Sequence, residues 1–443
     1  MRTRTLVLGS IVLLAVAVRL AGIGDRLTAD EGYSWLVASA PDAGSFLDRL
    51  AAYENTPPLF YLLLAALPGT DEAWLRVPSL VASVAAVPVL YAIARPLLGT
   101  APALLAALGL AVAPYHVSFA NYSRAFMLAG LGLLLALWAA ARLAQGGRRR
   151  WWWLWAAGAV VALYSEYDTG LALAAMAGAL LVLGSPPRRD VLRLAPLPLL
   201  ALLPWLGQLS RSLDALDETK VAPTYPGPGP GSLRDVVTPL AFGEHGAASG
   251  AAPRTLQFLA LAAVLGAAGA WLWRSNRTAF WLLAGTGLGT LALAAAAAIA
   301  GPDVFAQRYL TFLIPLGAAV AAAGVAALPW RAAAPGAGAA LVAAGVAVFA
   351  TREGRELEPD PVPLQAAVRA ADPDLVLTNS AVIAFYLREH RPVLDRPFGL
   401  SGGPAAARPP CPVPCRIIAV DDPRVAGGVR AGAASFPAPT RSG

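Results

Sequence analysis

Two adjacent carboxylates, Asp30 and Glu31, stand in the stretch LTADEGYSW, directly after the first apolar run of the chain. A carboxylate at such a boundary, beside Tyr33 and Trp35, is a candidate general base. It can take the proton of a hydroxyl held against it. The two acids are not equivalent. Thr28 and Glu31 form T-x-x-E, the capping box that opens a helix. Neighbouring helix positions point about 100° apart, so both acids cannot serve one pocket equally. Capping does not use Asp30, and Asp30 is therefore the candidate base. The structural alternatives are a solvated loop acid for Asp30 and a cap alone for Glu31.

The elements that must position these acids are apolar. The chain is 57% hydrophobic and 14% charged, where a soluble chain carries about 25% charged residues. Long Ala/Leu/Val runs recur near the ~20 residues that cross a bilayer. This composition implies a polytopic α-helical membrane protein. Spans are predicted at 5–23, 74–97, 101–118, 124–144, 152–165, 167–184, 192–210, 254–273, 277–300, 309–328 and 336–351. The apolar stretch PPLFYLLLAALPG (57–69) is too short to span and reads as an interfacial or re-entrant helix. The basic, apolar N-terminus resembles a signal peptide, but Arg19 interrupts the end of its run and more spans follow, so it reads as an uncleaved first helix.

The net charge of +7 says little about nucleic acid in such a chain, and no nucleic-acid partner is expected. Its distribution says more. With Arg2 and Arg4 in the cytoplasm, the inner loops hold RLAQGGRRR, SPPRRDVLR, RSNR and PWR, nearly all basic, as the positive-inside rule requires. The first outer loop (24–73) is acidic, and a second long outer loop lies at 211–253. The expected arrangement is eleven spans in a multi-pass cell-membrane protein, N-terminus in and C-terminus out. Residues 1–351 form the membrane domain. In the tail, 352–443, DLVLT, NSAVIAFYLREH and CRIIAV read as strand, helix and strand, a small extracytoplasmic α/β domain with a disordered end. Cys411 and Cys415, the two cysteines, are too few for a zinc site and fit a short disulfide loop outside the cytoplasm. The Trp run at 151–155 reads as an inner interfacial anchor.

VRLAGIGDRLTADEGYSW resembles the entry to the first outer loop of the membrane-embedded GT-C glycosyltransferases, which use lipid-phosphate sugars. It is similar to the family of dolichyl-phosphate-mannose–protein mannosyltransferases and bacterial aminoarabinose transferases. ENTPPLFYLLL resembles the family's His-Pro-Pro or Lys-Pro opening of a juxtamembrane helix, with Asn55 and Thr56 where the family has His or Lys. WLRVPSL, PYHVSFANYSRAFML, SEYD and QRYLTFLIP resemble later family segments, in order, over residues 15–330.

The resemblance implies an inverting glycosyltransferase. Its donor would be a polyprenyl-phosphate mannose or pentose, and its acceptor a protein, glycan or lipid outside the cytoplasm. Phosphate leaves well, so one base suffices and no paired acid is needed. Asp30 carries that role. Arg308 and Arg124 are the candidates to hold the phosphate, because the planar guanidinium binds phosphate oxygens and stays charged near lipid. Headgroup snorkelling is their alternative. Glu31, Tyr33, Asn55, Tyr122, Tyr167 and His245 are expected to line the cavity or lie near a divalent metal, which no spacing demands. His116 is a further residue that could face the cavity, and in SEYD a Ser165–Asp168 cap competes with a functional reading. The rival classes are a transporter or lipid flippase and a non-catalytic membrane subunit. Few ionisable residues lie mid-span, and no broken helix pair in matching halves is expected, which weighs against transport.

Overall fold

The computed structural model describes residues 2–54, 56–208, 210, 229–243, 246–300, 305–328 and 336. In the tail it describes 365–366, 368–370, 375–378, 381–388, 393–394, 417–420 and 433–434. The expected span at 336–351 apart from Gly336, residues 211–228 and 244–245 of the long loop 211–253 (His245 among them), Asn55, Cys411 and Cys415 lie outside the described residues. The first ten helices are α1 (Arg2–Leu20), α2 (Ala29–Ala38), α3 (Ala43–Tyr53), α4 (Leu59–Ala65), α5 (Glu72–Leu98), α6 (Thr100–Val112), α7 (Pro114–Ala120), α8 (Phe126–Ala144), α9 (Trp151–Leu163) and α10 (Thr169–Leu183). The chain divides into two compact units. One comprises Met1–Ile23, Thr56–Phe60 and Arg76–Glu353; the other comprises Gly24–Asn55, Tyr61–Leu75 and Gly354–Gly443.

The first unit is helical. Among the described residues six helices are long and apolar enough to cross a membrane: Thr3–Leu20, Glu72–Leu98, Phe126–Ala144, Arg188–Gln208, Ala251–Ser275 and Arg277–Ala300. A seventh is added if α6 and α7 count as one span. The chain is a multi-pass membrane protein. Trp151–Leu163, Thr169–Leu183 and Leu313–Ala326 are apolar but shorter, and α4 has only 7 residues. α8 and α9 pack backbone to backbone. A Cβ on Gly132 would stand 2.6 Å from the Ala162 nitrogen, and one on Gly158 would stand 2.6 Å from the Ala136 nitrogen. Small residues of this kind let helices approach closely in lipid. The Trp run does more than anchor: Trp152 and Trp155 are buried, and the Trp155 indole donates to the Ala195 carbonyl at 3.2 Å.

The expected span at 101–118 consists of two helices, bent by 56° between Val112 and Pro114. Proline cannot donate to the carbonyl four residues back, and its ring pushes the preceding residue out of the helical region. Ala113 accordingly sits at φ −60°, ψ 117°. The break robs the Leu110 and Ala111 carbonyls of their regular partners. Arg19 of α1 takes both, at 3.3 Å and 2.7 Å. Its other donors reach the Ser83 hydroxyl at 2.7 Å, the Ala15 carbonyl at 3.0 Å and His116 Nδ1 at 2.9 Å. A guanidinium only donates, so Nδ1 of His116 accepts. His116 therefore does not face a cavity. It is buried in this knot, because the guanidinium claims it.

In the second unit, α2 is opened by its capping box and α3 by Asp42, whose carboxylate accepts from the Ser45 nitrogen at 2.9 Å and its hydroxyl at 2.8 Å. Those two bonds hold the Asp42 carboxyl below its ordinary range. Four short strands, Leu375–Thr378, Val393–Leu394, Ile417–Val420 and Ala433–Ala434, form a sheet in the order second, first, third, fourth. The first strand is parallel to the second and third, in register Leu375 with Ile417; the third and fourth are antiparallel. The helix Ala381–Tyr386 connects the first two.

Arg19→Met would leave the Leu110 and Ala111 carbonyls without their donor. Each buried group so stranded costs about 1–3 kcal/mol. The expected outcome is a lower midpoint of thermal unfolding in detergent, whereas a wild-type midpoint would show that the knot contributes nothing to stability.

Candidate active site

In the first unit the candidate residues cluster at turns between helices. The turn after α7 carries Tyr122, Ser123 and Arg124. It is tight, with the Arg124 nitrogen donating to the Tyr122 carbonyl at 2.7 Å. It is tied down by the Ser79 hydroxyl, which donates to the Arg124 carbonyl at 3.0 Å. Aromatic rings continue from it. Phe119 meets Tyr122 and Phe126 edge-on at 5.5 Å and 5.3 Å, and Tyr122 lies parallel to Phe126 at 6.5 Å. Phe126 in turn meets Tyr309 at 6.2 Å. Offset and edge-on pairs of this kind add about 0.5–1.5 kcal/mol beyond area burial.

Tyr309 belongs to a 3₁₀ turn, Gln307–Leu310, that precedes the helix Leu313–Ala326. The Arg308 guanidinium lies over the Tyr309 ring, 4.9 Å from its centroid, a cation–π placement. Glu166 and Asp168, from the turn between α9 and α10, are within electrostatic reach of Tyr309. That turn is shaped by Ser165 donating to the Val161 carbonyl at 2.7 Å and Thr169 donating to the Glu166 carbonyl at 2.6 Å. The expected Ser165–Asp168 cap does not form: Ser165 bonds backward into α9, and Asp168 precedes α10 without a side-chain cap bond. A narrow recess beside Asp168 and Tyr309 is lined also by Thr169, Thr290, Leu133 and Phe312. The Tyr167 hydroxyl is buried and has no hydrogen-bond partner among the described residues.

So the structure brings Tyr122, Arg308 and the 165–168 turn together around Phe126 and Tyr309, with the Arg124 backbone in the same turn as Tyr122. Tyr309 and Glu166 belong to this cluster beyond the residues selected from sequence. The signal for Tyr309 was present in QRYLTFLIP, where it follows the chosen arginine. Arg76, from the WLRVPSL segment, is fully buried and donates to the Ile23 carbonyl at 3.1 Å. It holds the end of the chain segment that leads out of α1.

In the second unit, Asp30 and Glu31 lie in the first turn of α2. Glu31 is fully buried. Its carboxylate accepts from the Thr28 nitrogen at 2.9 Å and the Thr28 hydroxyl at 3.2 Å. Asp30 remains partly exposed. Tyr33 is engaged too, stacked on Tyr53 of α3 at 6.0 Å. Arg49 of α3 donates to the Leu36 carbonyl at 2.7 Å, which fixes the far end of α2. Among the described residues no group of three His, Cys, Asp or Glu side chains could hold a metal ion.

Residues 55–207 match the family model described as dolichyl-phosphate-mannose-protein mannosyltransferase. No curated protein matches the chain in sequence. Solved structures match over most of its length. ArnT from Cupriavidus metallidurans in the apo state shares 15% identity over 85% of this chain and 83% of its own, with a TM-score of 0.61. The same protein bound to undecaprenyl phosphate shares 16% identity over 85% and 84%, with a TM-score of 0.59. The oligosaccharyltransferase of Archaeoglobus fulgidus, tethered with an acceptor peptide, shares 14% identity over 89% of this chain and 64% of that one, with a TM-score of 0.54. This chain shares the fold of these two proteins.

Within this fold the two adjacent acids have separate surroundings. If Glu31 is the cap its geometry indicates, Glu31→Gln keeps an acceptor for Thr28 and retains near wild-type stability. Glu31→Ala loses the cap, worth about 1 kcal/mol, and melts lower. Equal melting of the two variants, measured by scanning fluorimetry in detergent, would remove the capping role.

Proposed function

We propose that this chain is an inverting glycosyltransferase that moves a sugar, mannose or a pentose, from a polyprenyl-phosphate donor to an acceptor outside the cytoplasm. The observation that carries this reading is the match of residues 55–207 to the mannosyltransferase family model. It is supported by a fold shared over most of the chain with a protein crystallised with undecaprenyl phosphate. In this reading the protein has eleven spans, including 336–351. Its N-terminus is cytoplasmic and its C-terminus extracytoplasmic, and 352–443 form a small α/β domain. The basic loops 142–150 and 185–193 support that orientation.

The reaction needs little covalent help from the protein. The acceptor oxygen attacks the anomeric carbon from the face opposite the leaving group. The bond between that carbon and the phosphate oxygen breaks, its electron pair stays on the phosphate, and the configuration inverts. Asp30 takes the acceptor's proton. Arg308 and Arg124 hold the phosphate, whose charge grows as the bond breaks. A bidentate guanidinium suits that task better than an ammonium. The ring of Tyr309 beneath Arg308 restrains the guanidinium's plane. Tyr122 and Tyr167 offer the aromatic faces and hydroxyls on which sugar rings are held, and the buried Tyr167 hydroxyl offers a donor for one. Among acceptors, the reading admits a protein, a glycan or a lipid.

Membranes containing wild-type protein are expected to transfer label from one member of a panel of polyprenyl-phosphate sugars. Asp30→Asn should lower that transfer by about 10²–10⁴-fold, the usual contribution of a positioned base. Arg308→Ala should raise the donor KM. Transfer by Asp30→Asn at the wild-type rate would take Asp30 out of the chemistry, and no transfer from any donor in membranes supplied with protein, glycan and lipid acceptors would overturn the glycosyltransferase reading.

A further inference from the structure

Helix α2 is gripped at three levels by one short helix of the tail, Ala381–Tyr386. Below its first turn, the Leu27 nitrogen donates to the Tyr386 hydroxyl at 3.0 Å, and Leu27 itself is fully buried. At mid-helix the two backbones nearly touch. A Cβ on Gly32 would stand 2.7 Å from the Val382 nitrogen, 2.8 Å from the Ala381 carbonyl carbon and 2.9 Å from Val382 Cγ2. Near the last turn Trp35 meets the buried Phe385 edge-on at 5.5 Å. Asp30 lies between the first and second of these contacts. The tail helix is held in turn from behind, where Gln365 donates to the Tyr386 carbonyl at 2.8 Å. On its other side α2 is met by α3, through Arg49 and the Tyr33–Tyr53 stack.

A ten-residue helix standing outside the membrane has little stability of its own, since isolated helices shorter than about 12–15 residues are marginal in water. Its position is set by what packs on it. We propose that the Ala381–Tyr386 helix fixes the position of Asp30, and that Gly32 and Tyr386 are positioning residues for it. This rests on the assignment of Asp30 as the base. It gives the tail a task in the reaction without any contact with the sugar. A close approach of two backbones has one register, because only a residue without a Cβ fits at position 32. A hydroxyl bonded just ahead of the cap adds a second constraint along the helix axis. Two such constraints determine both where the first turn of α2 sits and how it is rotated.

The test uses the full-length protein in lipid nanodiscs, with Tyr386→Phe and Gly32→Ala beside wild type and Asp30→Asn. Two readouts are taken: amide hydrogen exchange over residues 27–35, and kcat with KM for donor and acceptor. A displacement of about 1 Å at a reacting group costs on the order of 10²-fold. Gly32→Ala is therefore expected to lower kcat by about that factor, and Tyr386→Phe by about tenfold, with donor KM within about twofold and exchange over 27–35 faster in both. Trp35→Phe, which keeps an aromatic edge for Phe385, should hold the kcat that Trp35→Ala loses. Wild-type exchange and wild-type kcat in both Tyr386→Phe and Gly32→Ala would overturn the inference. Full activity in Asp30→Asn would overturn the reading on which it rests, and is told apart because exchange would still rise in Tyr386→Phe.

Discussion

A backbone that leaves its helix inside lipid must find new partners for the groups it frees, because no water is there to supply them. The first unit is organised around one such debt. Pro114 ends α6 and starts α7, and the carbonyls of Leu110 and Ala111 lose their donors. Arg19 answers from α1, and its remaining hydrogens draw in Ser83 of α5 and His116 of α7. One side chain thus joins four helices. Its partners are neutral carbonyls, a hydroxyl and an imidazole, which satisfy a guanidinium's donors without requiring a buried carboxylate. The bend that creates the problem also sets the direction of α7, which carries Phe119 and leads into the Tyr122–Arg124 turn. The aromatic cluster is therefore downstream of the knot.

The same knot bears on the alternative of transport. A broken helix and a buried cation are features that mark substrate or ion paths in transporters. Here the freed carbonyls are already occupied, and Arg19 is completely enclosed. The cation closes the gap that an ion would need. Arg308, Arg124, Asp168 and Asp30 are half-buried and stand at turns or first turns of helices.

What the sequence made legible was local. The capping box at Thr28–Glu31 could be read from four residues, since its bonds span only three positions. The apolar runs marked helices because their length and composition are written in the runs themselves. The arginines flanked by aromatics at 121–124 and 307–309 pointed to the cluster that forms around Phe126. What was not legible was distant. Leu27 and Tyr386 are 359 residues apart, and nothing in either segment announces the other. The requirement for glycine at position 32 appears only when Val382 is set beside it. His116, near the end of the third expected span, was open to facing the cavity. Its partner Arg19 lies 97 positions away. The break at Pro114 was visible as a proline, but proline can also kink a helix without ending it, as Pro78, Pro88 and Pro96 lie within α5.

The adjacent acids show why residue type alone does not assign chemistry. Asp30 and Glu31 differ by one methylene and one position, yet a rotation of about 100° between them separates two physical situations. Glu31 is turned inward, wholly buried, its oxygen committed to the nitrogen and hydroxyl of Thr28. A base must release and recapture a proton at a substrate, and an acceptor engaged in holding a helix closed is poorly placed for that. Asp30 keeps part of its surface open while the cap beneath it fixes the backbone that carries it. On the proposal that Asp30 is the base, the pair is a division of labour within one turn: the buried acid makes the turn rigid, and rigidity is what a positioned base requires. Losing Glu31 would blunt Asp30 even if Asp30 itself were untouched.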